Sequence, residues 1–115
     1  MSDSCDLADR VCEPCRGGIP PMEEPEIAHY LQQLPDGWSV NSAGHLVHTF
    51  GFPNFIDSLE FANKIGAEAE EAGHHPDLYV AWGKCGVEIW THKINGLAEA
   101  DFILAAKVSR LYDPE

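Results

Sequence analysis

The sequence has few basic residues and lacks a long apolar run. Only 7 lysines and arginines accompany 19 aspartates and glutamates, which gives the 115 residues a formal charge of -12. This charge repels nucleic-acid phosphates and anionic lipids, so we expect no direct binding to either. No apolar stretch approaches the roughly 20 residues of a membrane span, and the acidic N-terminus lacks a signal-peptide pattern. We therefore expect a cytoplasmic protein.

The sequence also lacks the cysteine pattern of a disulfide-bonded domain. Cys5, Cys12 and Cys15 lie near the N-terminus, and Cys85 stands alone far from them. Cys12 and Cys15 have metal-ligand spacing, but a strong zinc signal needs a second pair of ligands. Residues 1–22 show no helical or strand periodicity, so we predict a flexible, non-catalytic arm here, with a metal or redox module as the alternative.

Hydrophobic periodicity divides residues 23–115 into the helices and strands of one domain. Predicted helices run from Glu24 to Leu34, from Pro53 to Ala72 and from Leu97 to Leu111, and predicted strands from Trp38 to Val40, Leu46 to Phe52, Asp77 to Trp82 and Val87 to His92. Two hairpins separated by helices cannot form a doubly wound parallel sheet. The order α-β-β-α-β-β-α therefore predicts an α+β fold, a four-stranded antiparallel sheet with three helices on one face.

The second hairpin is too apolar for both of its faces to contact solvent. It contains Tyr79, Val80 and Trp90, and a sheet covered on one face leaves one bare face and two free edges. We therefore expect self-association, and we place Trp82 and Trp90 in the core or in an interface.

Three histidines are candidates for acid-base chemistry. His74 and His75 directly follow Gly73, the predicted end of the second helix, and precede Pro76; His92 ends the last strand. Imidazole has a reference pKa of about 6.5, so these side chains can exchange protons at neutral pH without a metal or a cofactor. A structural role for each ring and a three-histidine zinc site are the alternatives. Zinc is disfavoured because adjacent side chains in an extended chain point in opposite directions.

Strand register predicts that the three histidines converge. If residues 83–86 form a symmetric loop, Trp82 pairs with Val87, and Asp77 lies opposite His92. The histidines then meet at one end of the sheet. A shift of one residue would turn His92 to the opposite face.

A long, gapped pattern spans this region. It consists of Glu70, His74, His75, Pro76, Trp82, His92 and Asp101. The pattern resembles the signature of the pterin-4a-carbinolamine dehydratases, and the similarity covers most of the chain from about Pro20. The resemblance implies the same antiparallel sheet with helices on one side, assembled as dimers or tetramers. It also implies a hydro-lyase that needs no cofactor and converts 4a-hydroxytetrahydropterin to quinonoid dihydropterin in tetrahydropterin recycling.

The resemblance also implies roles for individual residues. His74 and His92 would transfer protons, His75 would bind or orient the pterin, and Glu70 would be a supporting carboxylate. Asp101 matches the last position of the pattern, but an acid in the first turn of a helix also caps that helix, so we favour a structural role for it.

The alternative function belongs to a different class. Some relatives act as dimerising coactivators of transcription factors or as Rubisco assembly factors, and these are protein-interaction roles. The complete histidine set favours the enzyme here, because a scaffold does not require convergent proton donors.

Overall fold

Three α-helices and four β-strands alternate along residues 21–112, the part of the chain that the computed structural model describes. The helices are α1 (Glu24–Leu31), α2 (Phe55–Ala72) and α3 (Glu99–Leu111), and the strands are β1 (Ser39–Val40), β2 (Leu46–Gly51), β3 (Asp77–Ala81) and β4 (Lys84–Ile89). A short 3-10 helix, His92–Ile94, connects β4 to α3. The predicted α+β fold and element order are confirmed. The cysteines of the predicted N-terminal arm lie outside the described residues.

The strands form one antiparallel sheet in the order β1-β2-β4-β3. In the central pair, Leu46 lies opposite Ile89 and Phe50 lies opposite Cys85. These four side chains are buried, whereas Glu88 and its neighbours at alternate positions face the other side of the sheet. Helices α2 and α3 pack against the buried face, and none of the helices within residues 21–112 packs against the second face.

The core lies between the sheet and the two longer helices. Its largest fully buried apolar side chains are Leu46, Ile65, Val87, Ile89, Leu97, Phe102, Leu104 and Val108. Complete burial of such a side chain stabilises a fold by about 1.5–3 kcal/mol. Helix α1 joins this core by packing Tyr30 against Phe102 of α3, with ring centroids 5.3 Å apart.

Helix α2 ends where the sequence predicts but begins two residues later. The predicted first residue, Pro53, precedes the cap: Asn54 is the N-cap, and its Oδ1 accepts a hydrogen bond from the Asp57 backbone N–H at 2.8 Å. Gly73 adopts the left-handed conformation at φ 69° and ends the helix. The glycine therefore turns the chain into the two adjacent histidines.

Helices α1 and α3 are shorter than predicted. Helix α1 stops at Leu31, and the chain continues in tighter turns, in which the N–H groups of Gln33 and Leu34 bond to the carbonyls three residues before them. Pro35 then disfavours a helical conformation for Leu34, which remains in the core. Helix α3 begins at Glu99 because Ala98 is its extended N-cap residue.

The predicted register of the second hairpin is wrong. Ala81 pairs with Lys84, so the connection is the two-residue turn Trp82-Gly83 and not a four-residue loop. Gly83 takes a φ of +79°, a conformation that glycine adopts without steric cost. Trp82 is consequently 73% exposed at the turn and is not a core residue.

The corrected register places Asp77 opposite Glu88, whereas the predicted partner was His92. The shift from 92 to 88 is an even number of residues, so the same side chains still share a face. His92 lies beyond the end of β4, in the 3-10 helix, while Trp90 packs partly against the core. Across residues 21–112, no helix is both long and apolar enough to cross a bilayer.

Candidate functional site

The three predicted histidines line one cleft at the end of the sheet where β3 begins and β4 stops. The cleft has a volume of about 360 Å³, and its lining consists of Gly73, His74, His75, Trp90, His92 and Lys93. His74 and His75 reach it from the end of α2, and His92 reaches it from the 3-10 helix. The predicted convergence is therefore observed, although the register that was expected to produce it is different.

His74 is a buried histidine held by a buried carboxylate. Its side chain is 4% exposed, and its Nε2 lies 2.5 Å from Oδ1 of Asp101, which is fully buried. The other oxygen of Asp101 accepts hydrogen bonds from the Thr91 hydroxyl and the Ala98 backbone N–H, both at 2.8 Å. Both carboxylate oxygens thus have partners, as a buried charged group requires.

Asp101 has the capping role that the sequence predicts, and it also has a second contact. The bond from Ala98 N–H caps α3, since Ala98 has no side-chain oxygen that could do so. The bond to His74 connects the cap to the cleft. A carboxylate in this position holds an imidazole in one tautomer and one orientation.

His75 and Glu70 form a pair at the exposed rim of the cleft. Nε2 of His75 lies 2.7 Å from Oε2 of Glu70, and the two side chains are 60% and 79% exposed. Such a pair adds little to the stability of a fold, because water screens the charges. Both side chains remain accessible to a ligand that enters the cleft.

His92 is held by ring stacking. Its imidazole lies parallel to the Trp90 indole, with centroids 4.3 Å apart and an interplanar angle of 7°. The backbone beneath it is tightly turned: the His92 carbonyl accepts from the N–H of Asn95, which has a positive φ of 51°. No hydrogen bond to the His92 imidazole occurs within residues 21–112, so its nitrogens can meet a substrate.

On the face of the Trp90 indole that His92 does not cover lie a second imidazole and a polar cluster, which were not identified from the sequence. His45 stacks on the other side of the indole at 3.8 Å and 2°, and its Nδ1–H donates to Oε2 of Glu88 at 2.6 Å. This bond is the main cause that lowers the pKa of Glu88, helped by hydrogen bonds from Tyr79 and Asn41. The bond to Glu88 in turn raises the pKa of Tyr79.

One pattern in the sequence pointed toward this cluster. Glu88 and Trp90 alternate with the buried residues of β4, and this alternation could have placed both on the face opposite the core, although Trp90 was predicted in the core or in an interface. His45 could not be assigned to that group without knowing that β2 pairs with β4.

Other candidate chemistry finds little support in the described part of the chain. Residues 21–112 contain no cluster of three or more His, Cys, Asp or Glu side chains arranged to hold a metal ion. Cys85 is buried in the core, and this burial raises the pKa of its thiol, which disfavours the reactive thiolate.

Comparison with known proteins relates the chain to one family. The model of the family described as pterin 4 alpha carbinolamine dehydratase matches residues 20–111. A Rickettsia bellii protein with the provisional name pterin-4-alpha-carbinolamine dehydratase is 55% identical over 111 residues, covering 96% of this chain and 98% of the relative. A Rubrobacter xylanophilus protein with the same provisional name is 47% identical over 106 residues, covering 92% of this chain and 98% of the relative.

A solved structure gives the same relationship. The transcriptional coactivator/pterin dehydratase from Brucella melitensis superposes with a TM-score of 0.73 at 29% sequence identity, covering 79% of this chain and 97% of that one. The sequence-based prediction of the family is confirmed: the chain belongs to the pterin 4 alpha carbinolamine dehydratases, a family of hydro-lyases.

Proposed function

We propose that this protein dehydrates 4a-hydroxytetrahydropterin to quinonoid dihydropterin by histidine acid-base catalysis, as a step of tetrahydropterin recycling. The observation that carries the proposed mechanism is the shared cleft of His74 and His92, with the buried Asp101 bonded to His74. Membership of the family supports the reaction, and the geometry supports the roles of the residues.

The reaction requires two proton movements and no electron transfer. The C4a–O bond breaks, and the departing hydroxyl takes up a proton and leaves as water. The N5–H bond gives its proton to a base, and its electron pair forms the C4a=N5 double bond. An imidazolium can supply the first proton and a neutral imidazole can accept the second, so a metal or a cofactor is not needed for this chemistry.

We assign these proton transfers to His74 and His92. Asp101 orients His74, and its negative charge stabilises the positive charge of a protonated ring. The imidazole of His92 faces the same cleft without a hydrogen bond from residues 21–112. Two rings held on different elements can contact different atoms of one bicyclic substrate, as a paired acid and base must.

We assign substrate binding to His75 and Glu70. The pair lies at the rim, where an imidazole can contact the pterin ring and a carboxylate can accept hydrogen bonds from pterin N–H groups. Because Glu70 also bonds to His75 at 2.7 Å, it can orient the histidine before the substrate arrives.

The direct test follows the ultraviolet absorbance of freshly prepared 4a-hydroxytetrahydropterin. We expect the protein to accelerate the loss of this compound above the spontaneous rate, in proportion to protein concentration, in buffer containing a metal chelator. Heat-unfolded protein is the control. A rate that equals the spontaneous rate at every protein concentration would disprove the proposed activity.

A second candidate function comes from the Brucella neighbour, whose name includes transcriptional coactivator. If the absorbance assay shows no acceleration, a protein-interaction role becomes the better proposal. The charge of -12 would favour a protein over DNA as the direct partner in that role.

We further propose that the protein self-associates as a dimer or a tetramer. Large apolar side chains are exposed on two surfaces: Phe55, Ile56 and Leu59 on α2, and Tyr79 and Trp82 on the second hairpin. Clustered apolar exposure of this kind is typical of interfaces. Light scattering coupled to size-exclusion chromatography should give twice or four times the chain mass of 12.7 kDa. A monomer mass at micromolar concentration would contradict this proposal.

A further inference from the structure

We propose that His45 and Glu88 are positioning residues for His92 and that they act through the Trp90 indole. The inference rests on the proposed function, because it gives His92 a role in proton transfer. Neither His45 nor Glu88 lines the cleft, so neither is assigned a contact with the substrate.

The three rings form a continuous stack that leads to the cleft. His45 lies 3.8 Å from Trp90, and Trp90 lies 4.3 Å from His92, with interplanar angles of 2° and 7°. Each face of the indole is therefore covered by one imidazole. A rotation of the indole would displace His92 with it, so the orientation of Trp90 determines the position of the His92 ring.

The far end of the stack is anchored by Glu88. Its carboxylate accepts from His45 Nδ1–H at 2.6 Å, from the Tyr79 hydroxyl at 2.9 Å and from Asn41 Nδ2–H at 3.2 Å. The lowered pKa of Glu88 keeps this acceptor ionised at neutral pH. The anchor thus joins side chains from β3, β4 and the turn before β2.

The backbone of His45 is fixed as well. Asn41 Oδ1 accepts hydrogen bonds from the backbone N–H groups of Ala43 and His45, at 3.0 and 2.9 Å. Asn41 therefore orders the β1–β2 turn and also contributes to the anchor. With both its backbone and its ring nitrogen fixed, His45 presents a rigid plane to Trp90.

His92 needs such support because its own side chain has little else to hold it. Within residues 21–112 its imidazole accepts and donates no hydrogen bond, whereas His74 is fixed by Asp101. A catalytic group displaced by about 1 Å can lose about 100-fold in rate. Loss of the stack that holds the His92 ring in one plane should therefore lower kcat, with little effect on the affinity for substrate.

The test is His45→Ala, with His29→Ala as the matched control, since His29 is exposed on α1 and lies outside the stack. We expect His45→Ala to lower kcat about tenfold while KM changes less than about twofold, because only the position of His92 is altered. His45→Phe keeps an aromatic plane and should restore kcat to within about threefold of the unsubstituted protein. Glu88→Ala should lower kcat in the same direction and by less.

A second measurement is independent of catalysis. In NMR spectra, the Cε1–H and Cδ2–H signals of His92 should be shifted by the ring current of Trp90. We expect these signals to move toward unstacked values in His45→Ala and to stay close to those of the unsubstituted protein in His29→Ala and His45→Phe.

The outcomes separate the two proposals. If the unsubstituted protein does not accelerate dehydration, the proposed function fails, and the NMR shifts still report on the stack. If the protein is active and His92→Ala is impaired, but folded His45→Ala matches His29→Ala in kcat and in the His92 signals, the positioning role is overturned. Should His45→Ala fold poorly, the kcat and His92 signals of Glu88→Ala decide in the same way.

Discussion

Replacing Asp101 with alanine should destabilise the folded protein by about 3–5 kcal/mol, because the change removes a buried carboxylate that accepts three hydrogen bonds. Asp101 is fully buried and has three hydrogen-bond donors: His74 Nε2, the Thr91 hydroxyl and the Ala98 backbone N–H. The substitution would leave the buried donors of His74 and Thr91, and the part-buried Ala98 N–H, without this acceptor. Urea unfolding followed by far-ultraviolet circular dichroism measures this loss of free energy.

Asp57→Ala is the matched control, since Asp57 is also an acid in the first turn of a helix. Its carboxylate lies near solvent, so its loss should cost less than about 1 kcal/mol. If Asp101→Ala lowered the free energy of unfolding no more than Asp57→Ala does, the proposed contribution of the Asp101 hydrogen bonds to stability would be contradicted.

Asp101→Asn separates the two roles of the carboxylate. The amide oxygen can still accept from Thr91 and Ala98, so most of the stability should return, to within about 2 kcal/mol of the unsubstituted protein. The amide group cannot stabilise a positive charge on His74, so kcat should remain at least about tenfold below normal. Normal stability together with normal kcat would limit Asp101 to the capping role that the sequence first suggested.

Local sequence signals predicted most of the fold correctly. Gly73 could be identified as the end of α2 because a glycine after an amphipathic helix commonly adopts the left-handed conformation. The start of α2 was misplaced because Pro53 also fits the first position of a helix, and only the observed bond from Asp57 N–H to Asn54 identifies the cap.

Long-range geometry was less accessible from the sequence. The segment Gly83-Lys-Cys-Gly86 has the composition of a four-residue loop, but Lys84 and Cys85 belong to β4, and Cys85 is buried against Phe50. The register that buries the Cys85 thiol could not be identified from the composition of the turn alone. Glycines at both ends made two different turns plausible.

In the candidate site too, features set by neighbouring residues in the sequence could be predicted, and features that depend on long-range pairing could not. The adjacency of His74 and His75 and the strand that leads to His92 were enough to predict that the three imidazoles meet. The contact between Asp101 and His74 was not predictable, because a helix cap already explained the acid. The stack of His45 on Trp90 depends on the pairing of β2 with β4, which are separated in sequence by the whole of α2.

His74→Ala and His92→Ala should each lower kcat for dehydration by about 10²–10⁴-fold, the usual contribution of a positioned general acid or base. Both side chains line the cleft, and we assign them opposite proton movements on one substrate. The rates are measured with 4a-hydroxytetrahydropterin by ultraviolet absorbance, and circular dichroism verifies folding. His29→Ala, a change of the same kind on α1, should retain normal kcat.

The double variant distinguishes cooperation from independent action. If the two histidines act on the same transition state, removing the second should cost far less than removing the first, so the combined loss should be well below the product of the two single losses.

His75→Ala should behave differently, raising KM several-fold with a smaller change in kcat, because it is assigned to binding at the exposed rim. Full activity in both His74→Ala and His92→Ala would refute the catalytic assignment. Among the described side chains of the cleft, the third imidazole is that of His75, so any other pair of histidines would have to include it. A loss in His75→Ala as large as in the others, confined to kcat, would instead transfer one of the two proton transfers to the rim histidine.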